Sequence, residues 1–482
     1  MRNEFKNAGQ LCHSNFDMKA PAEEEIFMGK SVNQRKEILS KNIEFVGFDD
    51  IYKKAGFQMA MQKQNGKYYL YAASFRWNGI AILDVTDPAN PRKIQWMESF
   101  WPDDTIHDGM CIPKIQIADG LMILAHSGTM DVLHGTPKGN PLPFWGGISI
   151  WDVKTDPENP RMLSKFACGG GPGAHRFYYG GGRYLYVTGS CEGYAFFILR
   201  ILDIQDPEHP VEVGRWWHDA QYLGNKPGGQ LPPFGSEEFL NIPQLHACAC
   251  RGDIVYMAYQ NVGLIMLDVK DRSNPVEIST LNLNLPFGGG SGGARTHTVL
   301  PLGDLPYVLV STEAERCHYF SEDDSSGLYG NLVTNPMNML GIAEITDPSN
   351  PCLISVFPYP EMPDGYTHGK NFNYVDGLRV AFGPHNSFDA FGPDAYQKYD
   401  NRIYTCYFHA GLRIFDTSDL FMPKEIGYFL TPDPEKPSFD NDEGTLMPGP
   451  IVGIAEDVLV DDRGYIYFDT ANDGLYIVRC TV

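Results

Sequence analysis

The chain alternates short apolar runs with turn-forming residues, at a spacing typical of β-strands rather than helices. One unit recurs: an apolar strand that ends in Asp, then D-P-x-N-P or a derivative of it, then a second strand. Proline interrupts strand pairing and fixes the turn, while the Asp can accept hydrogen bonds from its own backbone. The six copies are "GIAILDVTDPANPRKIQ" (79–95), "GISIWDVKTDPENPRMLS" (147–164), "FILRILDIQDPEHPVEVG" (197–214), "GLIMLDVKDRSNPVEIS" (263–279), "GIAEITDPSNPCLIS" (341–355) and "GLRIFDTSDLFMPKEIG" (411–427).

Another pair of strands with a tight turn precedes each copy, so one unit has four strands. A seventh unit, residues 453–482, supplies only three. Its missing outer strand is predicted at residues 40–50, "SKNIEFVGFDD", because this segment resembles the outer strands of the other units. Pairing of the first strand with the last unit closes a ring and removes the exposed edges of an open array. The pattern therefore predicts an all-β fold, a seven-bladed β-propeller over residues 41–482.

Residues 1–40 lie outside the repeat. The stretch 21–42 predicts a helix with charged residues on one side, so the propeller is expected to carry a short N-terminal helical extension. This extension is a cap, an arm or a dimer contact, and a homo-oligomer through the arm is one of the outcomes that the sequence leaves open.

Charge and cysteine content narrow the function classes. The 482 residues include 38 Lys and Arg against 60 Asp and Glu, a formal net charge of −22. Nucleic acid and anionic membranes are disfavoured as partners because both require a basic face. No secretory leader or long apolar span is apparent, so the ten cysteines are expected to be reduced thiols in a cytoplasmic protein.

The repeated turn resembles that of the LVIVD-repeat family, whose blades carry a strand ending in Asp followed by D-P-x-x-P. The resemblance covers roughly residues 43–482. It implies a β-propeller, and it says little about function because propellers host many chemistries.

Histidines recur at one phase of the repeat. The first strand of each blade lines the central channel, and in three blades a histidine stands six or seven residues before the glycine of the first turn. The residues at this phase are His175, His246, His297 and His385, with His107 opening the same strand in blade two and Glu456 in blade seven. A single such histidine is usually structural, and the set as a whole could stabilise blade junctions. Five of the 13 histidines at one phase instead favour a metal on the axis.

The predicted metal ligands are His175, His246, His297 and His385. His107 and Glu456 remain for proton transfer or ligand orientation, and His368 is placed near the channel mouth as a third catalytic candidate. Four imidazoles suit iron, zinc, copper or nickel, whereas manganese prefers additional oxygen ligands, which Glu456 and water can provide.

Long insertions separate several strands and are expected to act as lids or to anchor loops. They span residues 128–146, 216–243, 283–295 and 314–338 and carry Trp145, Trp216, Trp217, Phe234 and Phe287. Aromatic side chains there suit a flat substrate. Motifs of serine hydrolases, P-loop enzymes and HExxH metalloproteases do not occur.

Three functions compete. The chain as a whole is similar to the dihydrophloroglucinol cyclohydrolases, which implies a manganese-dependent hydrolase that cleaves a C–C bond of a cyclic β-diketone in aromatic-compound catabolism; iron or zinc are the alternatives to manganese. A bound metal would polarise the ketone and lower the pKa of water. The second hypothesis is a non-haem iron oxygenase, because carotenoid cleavage dioxygenases are propellers with four axial histidines, although their blades lack the D-P-x-N-P turn. The methanethiol oxidase-like selenium-binding propellers are weaker relatives of this kind. The third is a non-enzymatic scaffold. The first is preferred.

Overall fold

The computed structural model describes residues 35–99, 110–128, 144–283, 296–313, 339–435 and 451–482, except positions 55, 75, 76, 234, 235, 373, 377, 381, 391 and 393. Among these residues, no helix has the length and apolar character needed to cross a membrane.

Seven four-stranded antiparallel sheets form the blades of a β-propeller, which confirms the predicted fold class. In blades one to five the chain runs from the channel outward, so their inner strands point the same way along the axis. Blades one to three contain β3 (Met59–Gln64), β4 (Lys67–Ala73), β5 (Gly79–Asp84), β6 (Arg92–Glu98); β7 (Met110–Ala118), β8 (Leu121–Gly128), β9 (Gly147–Asp152), β10 (Arg161–Ala167); β11 (Ala174–Tyr178), β12 (Tyr184–Ser190), β13 (Phe197–Asp203) and β14 (Val211–Trp216). Blades four and five contain β15 (Gln244–Arg251), β16 (Ile254–Gln260), β17 (Gly263–Asp268), β18 (Val276–Asn282); β19 (Thr296–Pro301), β20 (Tyr307–Thr312), β21 (Leu340–Glu344) and β22 (Cys352–Val356).

Blades six and seven take strands from both ends of the chain. They contain β25 (Arg402–Cys406), β26 (Leu412–Asp416), β27 (Lys424–Leu430) with β1 (Leu39–Lys41), and β28 (Ala455–Val460), β29 (Tyr465–Thr470), β30 (Leu475–Cys480) with β2 (Ile43–Asp49). A short hairpin of β23 (Tyr374–Val375) and β24 (Leu378–Arg379) lies outside the blades.

The ring closes as predicted. Strand β2 pairs antiparallel with β30, from Ile43 opposite Cys480 to Asp49 opposite Leu475. The preceding strand β1 pairs with β27 and is the outermost strand of blade six. The helix expected over residues 21–42 does not continue through this part of the chain, because strand pairing with β27 takes residues 39–41; residues 21–34 lie outside the described residues.

The repeated turn folds as its chemistry indicates. In blade one, Asp87 Oδ1 accepts a hydrogen bond from Ala89 N at 3.1 Å, and Asn90 Nδ2 donates to Asp87 Oδ2 at 2.9 Å. Blade two repeats both contacts at Asp156. The D-P-x-N-P sequence thus fixes the corner between the third and fourth strands.

Adjacent blades pack apolar side chains against each other, and this packing fixes where the inner strands stand. Between blades three and four, for example, Leu199 and Ile201 share a cluster with Leu245 and Val255, all buried. The outer strands also meet the next blade closely, since a Cβ on Gly214 would lie 1.8 Å from the carbonyl oxygen of Arg272.

The remaining helices are short and lie in loops. They are the 3-10 turns Ile51–Lys53, Asp219–Gln221, Leu223–Asn225 and Pro227–Gly229, and the α-helix Glu237–Leu240. The eight described cysteines form no disulfide with one another.

Candidate metal centre

β-Bulges turn the channel histidines inward. In blade three, Ala174 and Arg176 face consecutive residues of β12, so that His175 is the extra residue of the inner strand. His246 and His297 occupy the same bulged place on β15 and β19. A bulge bends its strand and redirects a side chain, which is why bulges are frequent beside functional sites. The histidine phase of the repeat is therefore also a bulge phase.

His385 reaches the channel from a less regular strand. Its segment joins the inner edge of β25 through the backbone, with His385 N donating to the Cys406 carbonyl at 2.8 Å and Cys406 N donating to the Asn386 carbonyl at 2.9 Å. This pairing gives blade six an inner strand without a long ladder.

The four predicted ligands form a continuous arc. Ring centroids are 4.7 Å apart between His175 and His246, 4.0 Å between His246 and His297, and 4.9 Å between His297 and His385. The Nε2 atoms of His175 and His246 lie 2.9 Å apart. All four side chains are buried, with 9% or less of their surface exposed. Propeller closure thus brings together residues up to 210 positions apart, as the repeat phase predicted.

Oxygen atoms hold the Nδ1 side of three of these rings. His246 Nδ1 lies 2.8 Å from the carbonyl oxygen of His297, and His385 Nδ1 lies 2.8 Å from that of Glu456. A carbonyl only accepts, so Nδ1 carries the proton in both rings and Nε2 keeps its lone pair. His297 Nδ1 lies 2.7 Å from the Thr298 hydroxyl. This is the usual outer-shell arrangement of metal-bound histidine.

Glu313 completes the arc and was not predicted. Its carboxylate oxygens lie 3.4 Å from His297 Nε2 and 3.7 Å from His385 Nε2. The ligand atoms of His246, His297 and Glu313 all lie within 4.8 Å of one another. Glu313 directly follows β20, which is the second strand of its blade, so the phase of the inner strands does not predict it. The signal that the sequence offers is an acidic residue at the end of an apolar strand that faces the channel opening.

The surroundings keep the central ring neutral. Burial lowers the pKa of His297 well below its usual value, and the neighbouring imidazoles of His246 and His385 lower it further. Its Nε2 atom forms no hydrogen bond with the part of the chain that the structure describes. A neutral imidazole is the form that binds a metal, so burial and donor set agree.

Glu456 contacts a predicted ligand rather than the open side of the centre. Its Oε2 lies 3.0 Å from His385 Nδ1. Asn386 Nδ2 also donates to the Glu456 carbonyl at 2.9 Å, and Phe408 stacks on His385 with 4.5 Å between centroids. Glu456 is thereby placed to orient His385, which is one of the two roles that the sequence left open.

His368 belongs to a different cluster. Its Nε2 lies 2.6 Å from Asp433 Oδ2, and its ring lies 5.8 Å from that of His409. Asp433 also accepts a hydrogen bond from Arg35 N at 2.7 Å, which ties the N-terminal segment to blade six. The catalytic role of His368 stays a prediction, and His107 lies outside the described residues.

The described tryptophans of the long insertions pack against other aromatic side chains. Trp216 meets Tyr259 edge-on at 5.6 Å, and Trp217 lies 4.9 Å from Tyr194. Trp145 lies 5.7 Å from His126. These contacts favour the anchoring role; Phe234 and Phe287 lie outside the described residues.

We expect Glu313→Gln to weaken metal binding by more than the roughly 10- to 100-fold that follows loss of an outer-shell partner, because it removes the negative charge from an otherwise neutral set of donors. Titration with Mn²⁺ followed by calorimetry measures the change, and Glu44→Gln, on an exposed position of β2, is the matched control. Equal affinities for both variants and the unaltered chain would show that Glu313 takes no part in binding.

Comparison with known proteins agrees with the repeat. A family model described as the LVIVD repeat matches residues 66–95 and 247–282, which cover β4, β5 and the start of β6 in blade one and most of blade four. A comparison with curated proteins found no match.

The comparison with solved structures found matches at low identity. A hypothetical selenium-binding protein from Sulfolobus tokodaii has a TM-score of 0.48 and 13% identity, covering 89% of this chain and 82% of its own. A streptogramin B lyase has a TM-score of 0.46 and 12% identity, covering 91% and 97%. These values are too low to transfer a function. The two matched segments are thus similar to LVIVD repeats, and they lie in blades one and four of a seven-bladed β-propeller.

Proposed function

We propose that this propeller is a metal-dependent hydrolase that opens a small cyclic β-diketone at a centre held by the four channel histidines and Glu313. The observation that carries the proposal is the convergence of Nε2 atoms whose Nδ1 sides are held by oxygen. Histidines that only stabilise blade junctions would not need to have Nδ1 held by oxygen and Nε2 turned toward a common point.

The spacing of the donors suits one small cation. Two nitrogens at about 2.1 Å from a metal and at right angles to each other are about 3 Å apart, and His175 Nε2 and His246 Nε2 are 2.9 Å apart. Neutral imidazoles with one carboxylate fit Mn²⁺, Fe²⁺ or Zn²⁺, and the carboxylate oxygen favours manganese over a purely nitrogen set. A metal bound there supplies Lewis acidity toward a carbonyl and lowers the pKa of water.

The chain itself supplies the base. Glu313 is 19% exposed at its side chain and faces His297 and His385, so its carboxylate can accept a proton from attacking water. Addition of the remaining OH to one ketone breaks the bond to the carbon between the two carbonyls, because that carbon leaves as an enolate. The proton on Glu313 can then return to the enolate carbon. Ring opening in this way produces one oxo acid.

Metal analysis and one assay test the proposal together. Protein purified without a histidine tag is expected to contain about one equivalent of manganese, iron or zinc by inductively coupled plasma mass spectrometry. Cyclohexane-1,3-dione is the probe, and its opening in H₂¹⁸O without oxygen should place label in the new carboxylate. A strict oxygen requirement would favour the iron oxygenase. A protein that binds no added metal would instead leave the histidines as structural hydrogen-bonding partners.

A further inference from the structure

A lysine stands inside the channel without a counter-ion in contact. Lys114 lies on β7 of blade two, at the end of a bulge in its pairing with β8. It forms no hydrogen bond or ion pair with another described residue. It lines a cavity of about 50 Å³ together with Asp457, Asp389 and Ser387, enough for about three water molecules.

The cavity lies beyond the histidines along the axis. The residues of blades three and six that line it, Tyr179 and Ser387–Asp389, come two to four positions after the ligand of the same blade. At about 3.3 Å per strand residue this places the cavity about 7–13 Å from the histidine arc. It therefore adjoins the proposed centre from the side away from Glu313.

Asp457 lines this cavity, and a second buried carboxyl group, that of Asp469, lies beside it. Asp457 accepts hydrogen bonds from Gln58 Nε2 at 3.1 Å and Met59 N at 2.9 Å, and Asp457 N donates to Asp469 Oδ1 at 3.1 Å. Burial raises the pKa of both carboxyl groups, and for Asp469 the charge of Asp457 raises it further. Burial thus favours the protonated form of both carboxyl groups.

The surroundings of Lys114 change the pKa of its amine. Burial lowers its pKa to about 8, and the guanidinium of Arg176 on β11 adds to this effect. Asp457 on β28, Asp389 in blade six and Cys248 on β15 oppose it. The pKa of Lys114 is thus lowered and that of Asp457 is raised, so the two values approach each other. Both residues line a cavity that water can fill.

We propose that Lys114, Asp457 and the cavity they share form a proton-exchange site that serves the four-histidine centre from the opposite side of the channel. The inference rests on the proposed function. Hydrolysis of a cyclic β-diketone puts OH on the acyl carbon and H on the neighbouring carbon, and the new carboxylic acid then ionises. One proton must leave the buried centre in every turnover. The Lys114 amine accepts it through cavity water, becomes an ammonium, and returns it to solvent.

The first test measures titration without any catalysis. The ¹³Cε resonance of Lys114 in lysine-labelled protein, assigned by its loss in Lys114→Arg, is followed by NMR against pH. A midpoint near 8 supports the site, whereas a midpoint near the ordinary lysine value of about 10.4 overturns it. In Asp457→Asn the midpoint should fall, because a neighbouring negative charge is lost.

The second test measures turnover and chemical rescue. Lys114→Ala is expected to slow ring opening about 100-fold, and methylamine in solution should restore part of the rate because it can enter the vacated space and accept the proton. Lys154→Met, at an exposed lysine of blade two, should leave the rate unchanged. An unchanged rate in Lys114→Ala, or a loss that no small amine restores, would overturn the proposal.

The hydrolase function and the proton-exchange site at Lys114 can be disproved separately. If the unaltered protein binds metal but opens no diketone, the proposed function fails, while the NMR midpoint still decides whether Lys114 exchanges protons near neutral pH. If the diketone is opened and Lys114 titrates as an ordinary lysine, only the proton-exchange site fails.

Discussion

Replacing His297 by asparagine is expected to abolish metal binding and the proposed ring opening together. His297 is the middle of the arc, 1% exposed, and it contacts both neighbouring imidazoles and Glu313. Its loss removes a ligand, so the affinity should fall by more than the roughly 10- to 100-fold that follows loss of an outer-shell partner. Metal content after dialysis and the rate on cyclohexane-1,3-dione measure the two effects.

Controls separate this effect from unfolding. His209→Ala changes an exposed histidine of a repeat turn whose ring bonds Asp206, and this variant should keep metal and activity. Circular dichroism of the His297→Asn protein should retain the β-sheet spectrum, since asparagine removes volume without adding a charge. A folded variant that still holds one equivalent of metal would place the centre elsewhere and would contradict the proposed function.

Deleting residues 1–50 is expected to destroy the cooperative fold. The deletion removes β2 and leaves the outer edge of blade seven unpaired from Leu475 to Cys480. It also removes β1 from blade six and the buried Arg35, which pairs with Asp433. Globular domains are stable by only about 5–15 kcal/mol, and an open propeller loses a whole strand interface while exposing an edge that promotes aggregation. Thermal unfolding and gel filtration measure the outcome.

A shorter deletion is the matched comparison. Removal of residues 1–34 leaves β1, β2 and Arg35 in the chain, so its unfolding temperature is expected to stay close to that of the full chain. A deletion of residues 1–50 that melts at the temperature of the shorter deletion would show that the closing strand contributes little to stability. Ile43→Asp offers a milder check, because Ile43 is 5% exposed at the start of β2 and a buried charge there is costly.

Much of the fold can be read from local chemistry. The D-P-x-N-P turn carries its own hydrogen bonds between Asp87, Ala89 and Asn90, so the corner of each blade is encoded within a few residues. Counting these corners gives six blades. The three strands of residues 453–482 indicate a seventh, and their missing outer strand predicts that residues 40–50 complete the ring. Local signals fail where pairing partners are distant: residues 39–41 look helical in isolation but form a strand because β27 offers an open edge.

The candidate site is predictable in part for the same reason. His175, His246 and His297 share one place in the repeat, and a repeat translates sequence phase directly into position around an axis. Glu313 does not share this position in the repeat. It follows a second strand, and only the distances to His297 and His385 show that it belongs to the centre. The partner of His368 is likewise hidden, since Asp433 lies 65 positions away in a loop.

The sequence by itself determined the blade architecture, the strand that closes it and the four histidines that meet on the axis, because each depends on a repeated local pattern. The tertiary structure alone decided how those histidines point and what holds them. The bulges at His175, His246 and His297 arise from pairing with a second strand. The carbonyl oxygens that hold the Nδ1 atoms of His246 and His385 come from neighbouring blades. Neither the bulges nor these hydrogen bonds can be predicted from composition or periodicity. They depend on distances between blades, which only the close packing of the whole ring determines.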